Sequence, residues 1–240
     1  MNFLLEGDVS PAVATLQVLL GRSAPRPTLT QDGVYGRLTA EAVRQFESHE
    51  GRPVTGQANN GVWSVLMTRC GVQTIDHVDM GDLNQPQVRD IRGEGGSPIS
   101  TYGQSDGTRV VMRAISARAQ AGRVALLRLH GHGTRGLMNL AAGDLWGSVH
   151  HTGIAHDSLR RDRATLQSLR SIFAPYASVQ LMGCETGGGP EGRRLLNGLA
   201  DLWRVPVSAG VHTQYAGGAS TFRFEGQVVS AFPHGGTLRS

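Results

Sequence analysis

Two short apolar runs, each stopping at a reactive side chain beside glycine, limit what this chain can fold into more than any other feature. The first, VALLRLHGHGTRG at 124–136, leads to His132, and the second, VQLMGCETGGG at 179–189, leads to Cys184. Short apolar runs bounded by glycines are typical of buried strands. The segments between them have helical spacing, and strands that alternate with helices form a mostly parallel sheet with helices on both faces. Sites in such sheets gather at the carboxyl ends of the strands, so we expect His132 and Cys184 to meet there.

Apolar spacing predicts the remaining elements of this region, which we assign to an α/β domain at 108–240. The predicted helices are 108–121, 158–173 and 190–203, and the predicted strands are 124–129, 137–140, 179–182 and 205–208, with a hairpin or strand pair in 221–232. Residues 73–107 are rich in glycine, aspartate, glutamine and proline. We predict that they form a linker, with a short strand near 87–91.

The first seventy residues predict a small bundle of three helices. Ser10 and Pro11 suit the start of the first helix, Thr39 suits the N-cap of the second, and Trp63 lies in the third. The apolar residues that these helices share are Val13, Leu16, Leu19, Leu20, Ala42, Val43, Phe46, Val62 and Leu66. We therefore predict an all-α domain at 1–72.

The order of these residues resembles the peptidoglycan-binding domain that is attached to many cell-wall hydrolases. The family pattern is a Leu-Gln-x-x-Leu helix, an Asp-Gly-x-aromatic-Gly turn, a Thr-x-x-Ala-Val-x-x-Phe helix and a closing helix with Trp-x-x-Leu. It is met here by Leu16, Gln17, Leu20, Asp32, Gly33, Tyr35, Gly36, Thr39, Ala42, Val43, Phe46, Val62, Trp63 and Leu66. The chain departs from the pattern at Glu47, where the family usually has glutamine, and at Thr55-Gly56, which replaces Asp-Gly.

This resemblance implies that peptidoglycan, through its glycan or its stem peptides, is a partner of the domain. A groove beside the turn would bind it, with Asp32, Tyr35 and Arg37 as the candidate wall-binding residues. The matched residues are also typical of a core and a turn, so a docking or spacer module that kept the fold is the alternative.

The second part of the chain, over about 108–215, resembles the caspase-like cysteine peptidases in the wide sense, which include separases, gingipains and metacaspases. Their pattern is an apolar strand ending in His-Gly and a later one ending in a small residue and cysteine. Here these are His132-Gly133 and Gly183-Cys184, and the separation of roughly 50 residues also fits. The sequence that surrounds the caspase cysteine is absent, so caspase specificity does not carry over.

The resemblance implies a caspase-like α/β domain that cleaves a peptide or isopeptide bond in a protein or peptide substrate. Cys184 would be the nucleophile and His132 its base, because thiolates are reactive and an imidazole can return a proton to the leaving amine. The backbone N–H groups of Gly133 and Cys184 would be the oxyanion donors. Asp144 and Glu185 are the candidate substrate-binding residues, and they would favour a basic substrate side chain. We expect no cofactor and no metal.

Several alternatives stay open. His130 lies two residues before His132 on the same strand face and is the rival base. A cysteine at a strand end is often a small buried apolar residue, which favours a non-catalytic adaptor or a structural component of a secretion or injection apparatus or of the cell envelope. An L,D-transpeptidase-like wall enzyme is a third reading, although its Ser-His-Gly-Cys-x-Arg signature is missing and those enzymes are mostly β.

Composition bears on the partners and the compartment. All 23 basic residues are arginine and the net charge is +4, but the arginines are scattered, so we expect no nucleic-acid partner. No run approaches the ~20 apolar residues that span a bilayer, and the N-terminus does not read as a secretory signal. The sequence leaves the localisation unknown; the hypothesis we carry is the bacterial cytoplasm, with export to the cell envelope or outside by a signal-independent route.

The cysteines and the remaining histidines give no metal motif. Cys70 and Cys184 do not have zinc-ligand spacing, and we expect both to be free thiols. A second group, His150, His151, His156 and Asp157, also matches no ligand spacing and is read as a loop cluster.

Overall fold

The structure is a computed structural model that describes residues 2–80, 85–104, 106–141 and 152–238. A helical region comes first and a mixed sheet with helices follows, in agreement with the predicted sequence of an α and an α/β region. No helix within these ranges is long and apolar enough to cross a membrane.

Three helices and a two-stranded sheet build the N-terminal region. They are β1 (Asn2–Leu4), α1 (Pro11–Arg22), α2 (Arg37–His49), β2 (Ala58–Asn59) and α3 (Asn60–Cys70). The side chains of Ser10 and Asn59 accept hydrogen bonds from backbone N–H groups in the first turns of α1 and α3, which fixes where these helices begin. The second helix starts after Gly36 without a side-chain cap, so Thr39 lies inside the helix, where it is buried.

Glu47, at the position where the family usually has glutamine, binds the loop before β2. Its carboxylate is buried and accepts hydrogen bonds from the backbone N–H groups of Thr55 and Gly56, both at 2.7 Å, and from the Thr55 hydroxyl at 2.6 Å. A carboxylate has acceptor oxygens only, so it can take all three bonds. The two departures from the family pattern, Glu47 and Thr55-Gly56, are therefore the acceptor and the donors of the same hydrogen bonds.

Six strands form the main sheet. They are β3 (Gln73–Asp79), β4 (Ile99–Thr101), β5 (Val124–His130), β9 (Phe173–Met182), β10 (Val207–Gly210) and β11 (Val228–Ala231), in the order β11-β10-β9-β5-β3-β4. Neighbours are parallel except at the edge, where β11 runs antiparallel to β10. A second, antiparallel sheet contains β6 (Gly133–Thr134), β7 (Leu137–Asn139) and β8 (Gly153–Ala155). The helices of this region are α4 (Gln85–Gly93), α5 (Gly107–Arg118), α6 (Arg163–Gln167) and α7 (Gly189–Trp203).

The segment predicted as a linker differs most from the expectation. Residues 73–107 contain two strands of the main sheet and, over 87–91, a helix instead of a strand. The strand β3 reads QTIDHVD and has three buried polar residues, Asp76, His77 and Asp79. Because these residues break the apolar run, the sequence does not show the buried strand that the fold makes of them.

Two other predictions differ in length. The predicted helix at 158–173 is reduced to the five residues of α6 followed by a 3-10 turn, and the predicted strand pair at 221–232 is the single edge strand β11. The strands β5, β7, β9 and β10 and the helices α5 and α7 overlap the ranges expected from apolar spacing.

The N-terminal helices share a hydrophobic core with one face of the main sheet. A single cluster of buried residues joins Leu16, Phe46 and Trp63 of the helices to Val78 and Leu126 of the sheet. On the opposite face, α5, α6 and α7 contribute to a second core. The helical region is therefore packed onto the sheet, with no flexible linker between them in the described residues.

A buried ion pair lies in this shared core. Arg128 of β5 donates to both carboxylate oxygens of Asp76 on β3, from Nε at 2.5 Å and from Nη2 at 3.1 Å. The guanidinium lies between two aromatic rings, 4.9 Å from the centroid of Phe3 and 5.0 Å from that of Phe222. Burial alone would raise the pKa of Asp76, but the charge and the hydrogen bonds of Arg128 hold it well below its usual range.

Candidate active site

The register of two neighbouring strands puts His132 and Cys184 next to each other along the sheet edge. Within the parallel pair β5 and β9, His130 is opposite Met182. His132 and Cys184 each follow two residues later, past the carboxyl ends of their strands. The backbones stay in contact there, because a Cβ atom placed on Gly133 would be 3.1 Å from the Cys184 nitrogen and 2.8 Å from its carbonyl oxygen.

Glycines make this close approach possible. A Cβ atom on Gly131 would lie 2.3 Å from the carbonyl oxygen of Asn139, and one on Gly183 would lie 2.6 Å from the Met138 sulfur. Contacts this short are not tolerated, so a larger residue at position 131 would require movement of the backbone and one at position 183 would require movement of the Met138 and Thr186 side chains. The glycines beside the histidine and the cysteine are thus required by packing at the strand ends.

The two histidines of β5 and its extension have different environments. His130 is 1% exposed, and its Nε2 lies 3.4 Å from Oδ1 of Asp76 in the shared core. Burial lowers the pKa of His130, despite the opposing effect of the carboxylate. His132 is half-buried at the sheet edge, where its carbonyl accepts a hydrogen bond from the Asn139 N–H at 2.8 Å. Of the two, His132 is the one that a substrate could approach.

Cys184 is half-buried, and its sulfur contacts the backbone of one residue in a neighbouring loop. Both the backbone nitrogen and the carbonyl oxygen of Gln214 lie 3.4 Å from Sγ. The loop is held in place because the Gln214 side chain accepts from the Glu225 N–H at 2.9 Å and donates to the Glu225 carbonyl at 3.1 Å. Gln214 contacts the sulfur through its backbone, which is why no side-chain motif in the sequence pointed to it.

The turn after Cys184 is constrained on every side. Glu185 has φ of 52°, a left-handed conformation that is unusual for a residue other than glycine. Its N–H donates to the His212 carbonyl, and the N–H of Gly187 donates to the Gly210 carbonyl, both at 2.9 Å. The Thr186 hydroxyl donates to the Leu137 carbonyl at 3.3 Å. This turn is fixed to two neighbouring segments, at Leu137 and at 210–212, before α7 begins.

An open depression of about 360 Å³ has Glu185, the residue that follows the cysteine, in its wall. Its lining is Glu185, His212, Thr213, Tyr215, Glu225 and Gly226. Glu185 is in contact with Arg135, whose Nε lies 3.3 Å from Oε2, but this pair is largely exposed to solvent. The depression therefore contains two carboxylates, of which only Glu185 was predicted. Asp144, the other predicted substrate-binding residue, lies outside the described residues.

The predicted loop cluster of histidines is described only in part. His150 and His151 lie outside the described residues, whereas Nδ1 of His156 is 3.4 Å from the Gly136 carbonyl. Within the described part of the chain, no three His, Cys, Asp or Glu side chains are grouped as metal ligands.

Two family models match this chain. Residues 9–66 match the family described as "Putative peptidoglycan binding domain", so the N-terminal region is a peptidoglycan-binding domain. Residues 99–220, half of the chain, match the family described as "Domain of unknown function (DUF4347)". The chain belongs to the DUF4347 family. No curated protein and no solved structure matches the chain.

The DUF4347 match covers both strand ends of the candidate site. His132 and Cys184 lie inside the matched range, and so does Gln214, whereas Glu225 follows it. The description of the family names no activity, so the match gives no support to the caspase-like resemblance. A peptidase activity is therefore a proposal that rests on the residues and their geometry.

The candidate wall-binding residues of the peptidoglycan-binding domain are placed differently. Tyr35 is fully buried and its hydroxyl donates to the Gly56 carbonyl at 2.9 Å; burial raises its pKa above the usual range. Oδ1 of Asp32 accepts from the Val34 N–H at 2.9 Å and from the Gln17 amide at 2.8 Å, and these bonds lower its pKa. Tyr35 thus contributes packing in this conformation, while Asp32 is at the surface of the turn.

Proposed function

We propose that this member of the DUF4347 family is a cysteine hydrolase of peptide or isopeptide bonds that acts near peptidoglycan. The observation that carries the proposal is the parallel register of β5 and β9, which brings the His132 and Cys184 segments together at one sheet edge. Both residues are half-buried, so they are open to a substrate. The mostly parallel sheet also agrees with the caspase-like resemblance.

The chemistry follows from these residue types. The thiolate of Cys184 attacks the carbonyl carbon of the substrate, and the imidazolium of His132 gives its proton to the leaving amine. The acyl group is left as a thioester on Cys184, and water, deprotonated by His132, releases it as a carboxylic acid. The backbone N–H groups of Gly133 and Cys184 are the proposed donors to the oxyanion, a contribution of about 3 kcal/mol in other acyl-transfer enzymes.

The depression that contains Glu185, the residue after Cys184, provides a proposed specificity. Glu185 and Glu225 place two carboxylates in its wall, and the nearby cation, Arg135, is more than half exposed. A basic side chain of the substrate would therefore be favoured over an acidic one. Asp144 was predicted to share this role and remains a candidate.

The peptidoglycan-binding domain provides a proposed location for this activity. Asp32 and Arg37 remain the surface candidates for contact with the wall, beside the exposed side chains of Val34 and Leu38. Binding there would hold the α/β domain close to the wall and to proteins embedded in it.

A second candidate function is that of a non-catalytic adaptor or structural component. The backbone nitrogen and carbonyl oxygen of Gln214, each 3.4 Å from the sulfur, cover part of the approach to Cys184. A thiol that serves only in packing would show such contacts. The L,D-transpeptidase reading gains nothing from the structure, because the candidate cysteine ends a strand of a mostly parallel sheet.

The two functions are separated by an activity assay on the full chain. Fluorogenic peptides with arginine, aspartate or leucine before the scissile bond are offered to the wild type, to Cys184→Ala and to His132→Gln. The hydrolase proposal predicts cleavage after arginine that falls at least 100-fold in both variants. Cys70→Ala is the matched control, because the Cys70 thiol lies in the helical region, where it donates to the Leu19 carbonyl at 3.6 Å.

Labelling by iodoacetamide gives a second readout. We expect Cys184 to react faster than Cys70 and its rate to change in His132→Gln. No cleavage of any peptide, together with a labelling rate that is indifferent to His132, would favour the adaptor. Retention on purified sacculi tests the wall-binding part, and failure of Asp32→Asn and Arg37→Ala to weaken it would remove these two residues from the proposed groove.

A further inference from the structure

A segment of ten residues, 211–220, follows β10 and contacts the sulfur of Cys184; we call it the strap. The contact is made by Gln214, whose backbone nitrogen and carbonyl oxygen each lie 3.4 Å from Sγ. None of the side chains of the strap is buried, whereas Thr221 and Phe222, which follow it, are both buried. Segments with few buried apolar contacts open at a lower free energy than the rest of a fold. The strap is therefore the part of the site that can leave the sulfur without disturbing the core.

Two carboxylates outside the strap hold it in place, and the first is that of Asp90. Its Oδ2 accepts hydrogen bonds from the Gly218 N–H at 2.7 Å and from the Thr221 hydroxyl at 2.8 Å. Asp90 lies in α4, which contributes Val88 and Ile91 to the core that the helices share with the sheet. Hydrogen bonds to a charged oxygen are stronger than those between neutral groups. The far end of the strap is thus attached to a helix that the shared core fixes.

Glu225 provides the second attachment, and the strap occupies both of its oxygens. Oε2 accepts from the Tyr215 N–H at 3.2 Å, and Oε1 accepts from the Ser220 hydroxyl. Glu225 also lines the depression that we propose for a basic side chain of the substrate. A guanidinium binds a carboxylate through two parallel hydrogen bonds, one to each oxygen. A basic substrate side chain and the strap therefore compete for the same two oxygens.

We propose that the strap is autoinhibitory: Gln214 restricts access to Cys184 while Asp90 and Glu225 hold the strap closed, and a cationic group that binds Glu225 releases it. The inference rests on the proposed function, because it gives the basic side chain of the substrate a second role at the same site. A cation that binds the open form better than the closed form shifts the equilibrium toward the open form. A substrate without a cationic group would leave the strap closed.

Labelling of Cys184 by iodoacetamide in the full chain tests the strap and requires no peptide cleavage. Asp90→Ala removes the acceptor of two hydrogen bonds, and Thr221→Val removes one donor and keeps the shape of the side chain. We expect the labelling rate to rise about tenfold in Asp90→Ala, the effect of one to two lost hydrogen bonds, and by a smaller factor in Thr221→Val. Asp201→Ala is the matched control, because its carboxylate also accepts from a backbone N–H, that of His234 at 2.7 Å, and its rate should not change.

Methylguanidinium and methylurea test the release, since both are planar and of similar shape and only the first is cationic. We expect methylguanidinium to speed the labelling of Cys184 roughly threefold or more in the wild type, with a smaller effect in Asp90→Ala, because part of the attachment is already lost there. Methylurea should leave the rate unchanged. Cys70, labelled in the same samples, reports any general effect of the additives on the fold.

Two results would overturn the proposal. One is a labelling rate of Cys184 that is unchanged or slower in both Asp90→Ala and Thr221→Val, and the other is a rate that methylguanidinium does not raise above that in methylurea. Failure of the peptidase gives a different result: the variants label faster, but no peptide is cleaved. Cleavage of arginine peptides with unchanged labelling would refute the strap and support the peptidase. Far-UV circular dichroism of each variant confirms that the comparison is between folded proteins.

Discussion

Acidification should destabilise this protein through His77. This imidazole is fully buried in β3, and its Nε2 lies 2.8 Å from the Thr101 hydroxyl. That hydroxyl donates to the Leu140 carbonyl at 2.6 Å, so its oxygen must accept the hydrogen of Nε2. Nδ1 of His77 has no partner among the described residues. A proton on Nδ1 would therefore be buried without an acceptor, and His77 is neutral in the fold.

The magnitude follows from the two protonation equilibria. Burial, and to a lesser degree the charge of His130, lower the pKa of His77 from 6.5 to about 3. Below pH 6.5 the unfolded chain takes up a proton at this position, whereas the folded chain does so only near pH 3. Stability is thus lost as the pH falls through this window, at about 1.4 kcal/mol per pH unit once the unfolded group is protonated. Between pH 7 and pH 5 the loss from His77 is about 2 kcal/mol.

Urea unfolding at pH 7 and pH 5 measures this loss. Gln places an amide nitrogen near the position of Nε2, so His77→Gln keeps a donor for Thr101 and removes the titration. The comparison is made on the change between the two pH values, which cancels any constant cost of the substitution. We expect the change to be smaller by about 2 kcal/mol in His77→Gln than in the wild type. His49→Gln, which removes an exposed imidazole, is the matched control.

Other buried groups do not obscure this result. The pKa of Asp76 is held below its usual value, so its contribution to stability is present above pH 3.8 and is lost only at lower pH. His130 also has a lowered pKa, but it is present in both proteins and is cancelled by the comparison. Equal losses in the wild type and in His77→Gln would refute the neutral, buried imidazole.

Three further substitutions test other contacts, each by urea unfolding. Asp76→Asn should cost about 3–5 kcal/mol, because it leaves the charge of Arg128 buried without its partner; a loss under 1 kcal/mol would contradict a buried ion pair. Glu47→Met should cost about 1–3 kcal/mol, because the N–H groups of Thr55 and Gly56 lose the oxygen that accepts their hydrogen bonds, and a neutral effect would count against the observed loop contact. Gly133→Ala should cost about 1–3 kcal/mol, since its Cβ would lie 2.2 Å from the Thr186 hydroxyl. Its control is Gly93→Ala, which should not be destabilised because a Cβ there meets nothing within 4 Å.

Strands made of apolar residues could be predicted from the sequence, and the polar strand could not. The runs at β5 and β9 are fully or mostly buried along their length, so their composition shows them. In β3, Asp76 is buried because Arg128 on another strand balances it, and His77 because Thr101 accepts its hydrogen. Such partners are distant in the sequence, and no local pattern reveals them.

The part of the candidate site that follows the apolar strands could be predicted from the sequence, and the part formed by loops could not. His132 and Cys184 follow recognisable strands, so the sheet order is enough to bring their segments together. Gln214 and Glu225 reach the site from loops beyond β10, at positions that depend on how those loops fold. The rival imidazole, His130, could be distinguished only once its burial was known.

The core that the helices share with the sheet fixes how far this protein can reach. An enzyme domain joined to a binding domain by a flexible linker can reach targets at many distances from the surface to which the binding domain is attached. Here Leu16 and Trp63 are in one packed cluster with Leu126, so the peptidoglycan-binding domain and the main sheet share one core and move together. If the peptidoglycan-binding domain binds the wall, the sheet edge at Cys184 lies at one fixed distance and one orientation from the wall surface. Only bonds at that distance could then reach Cys184.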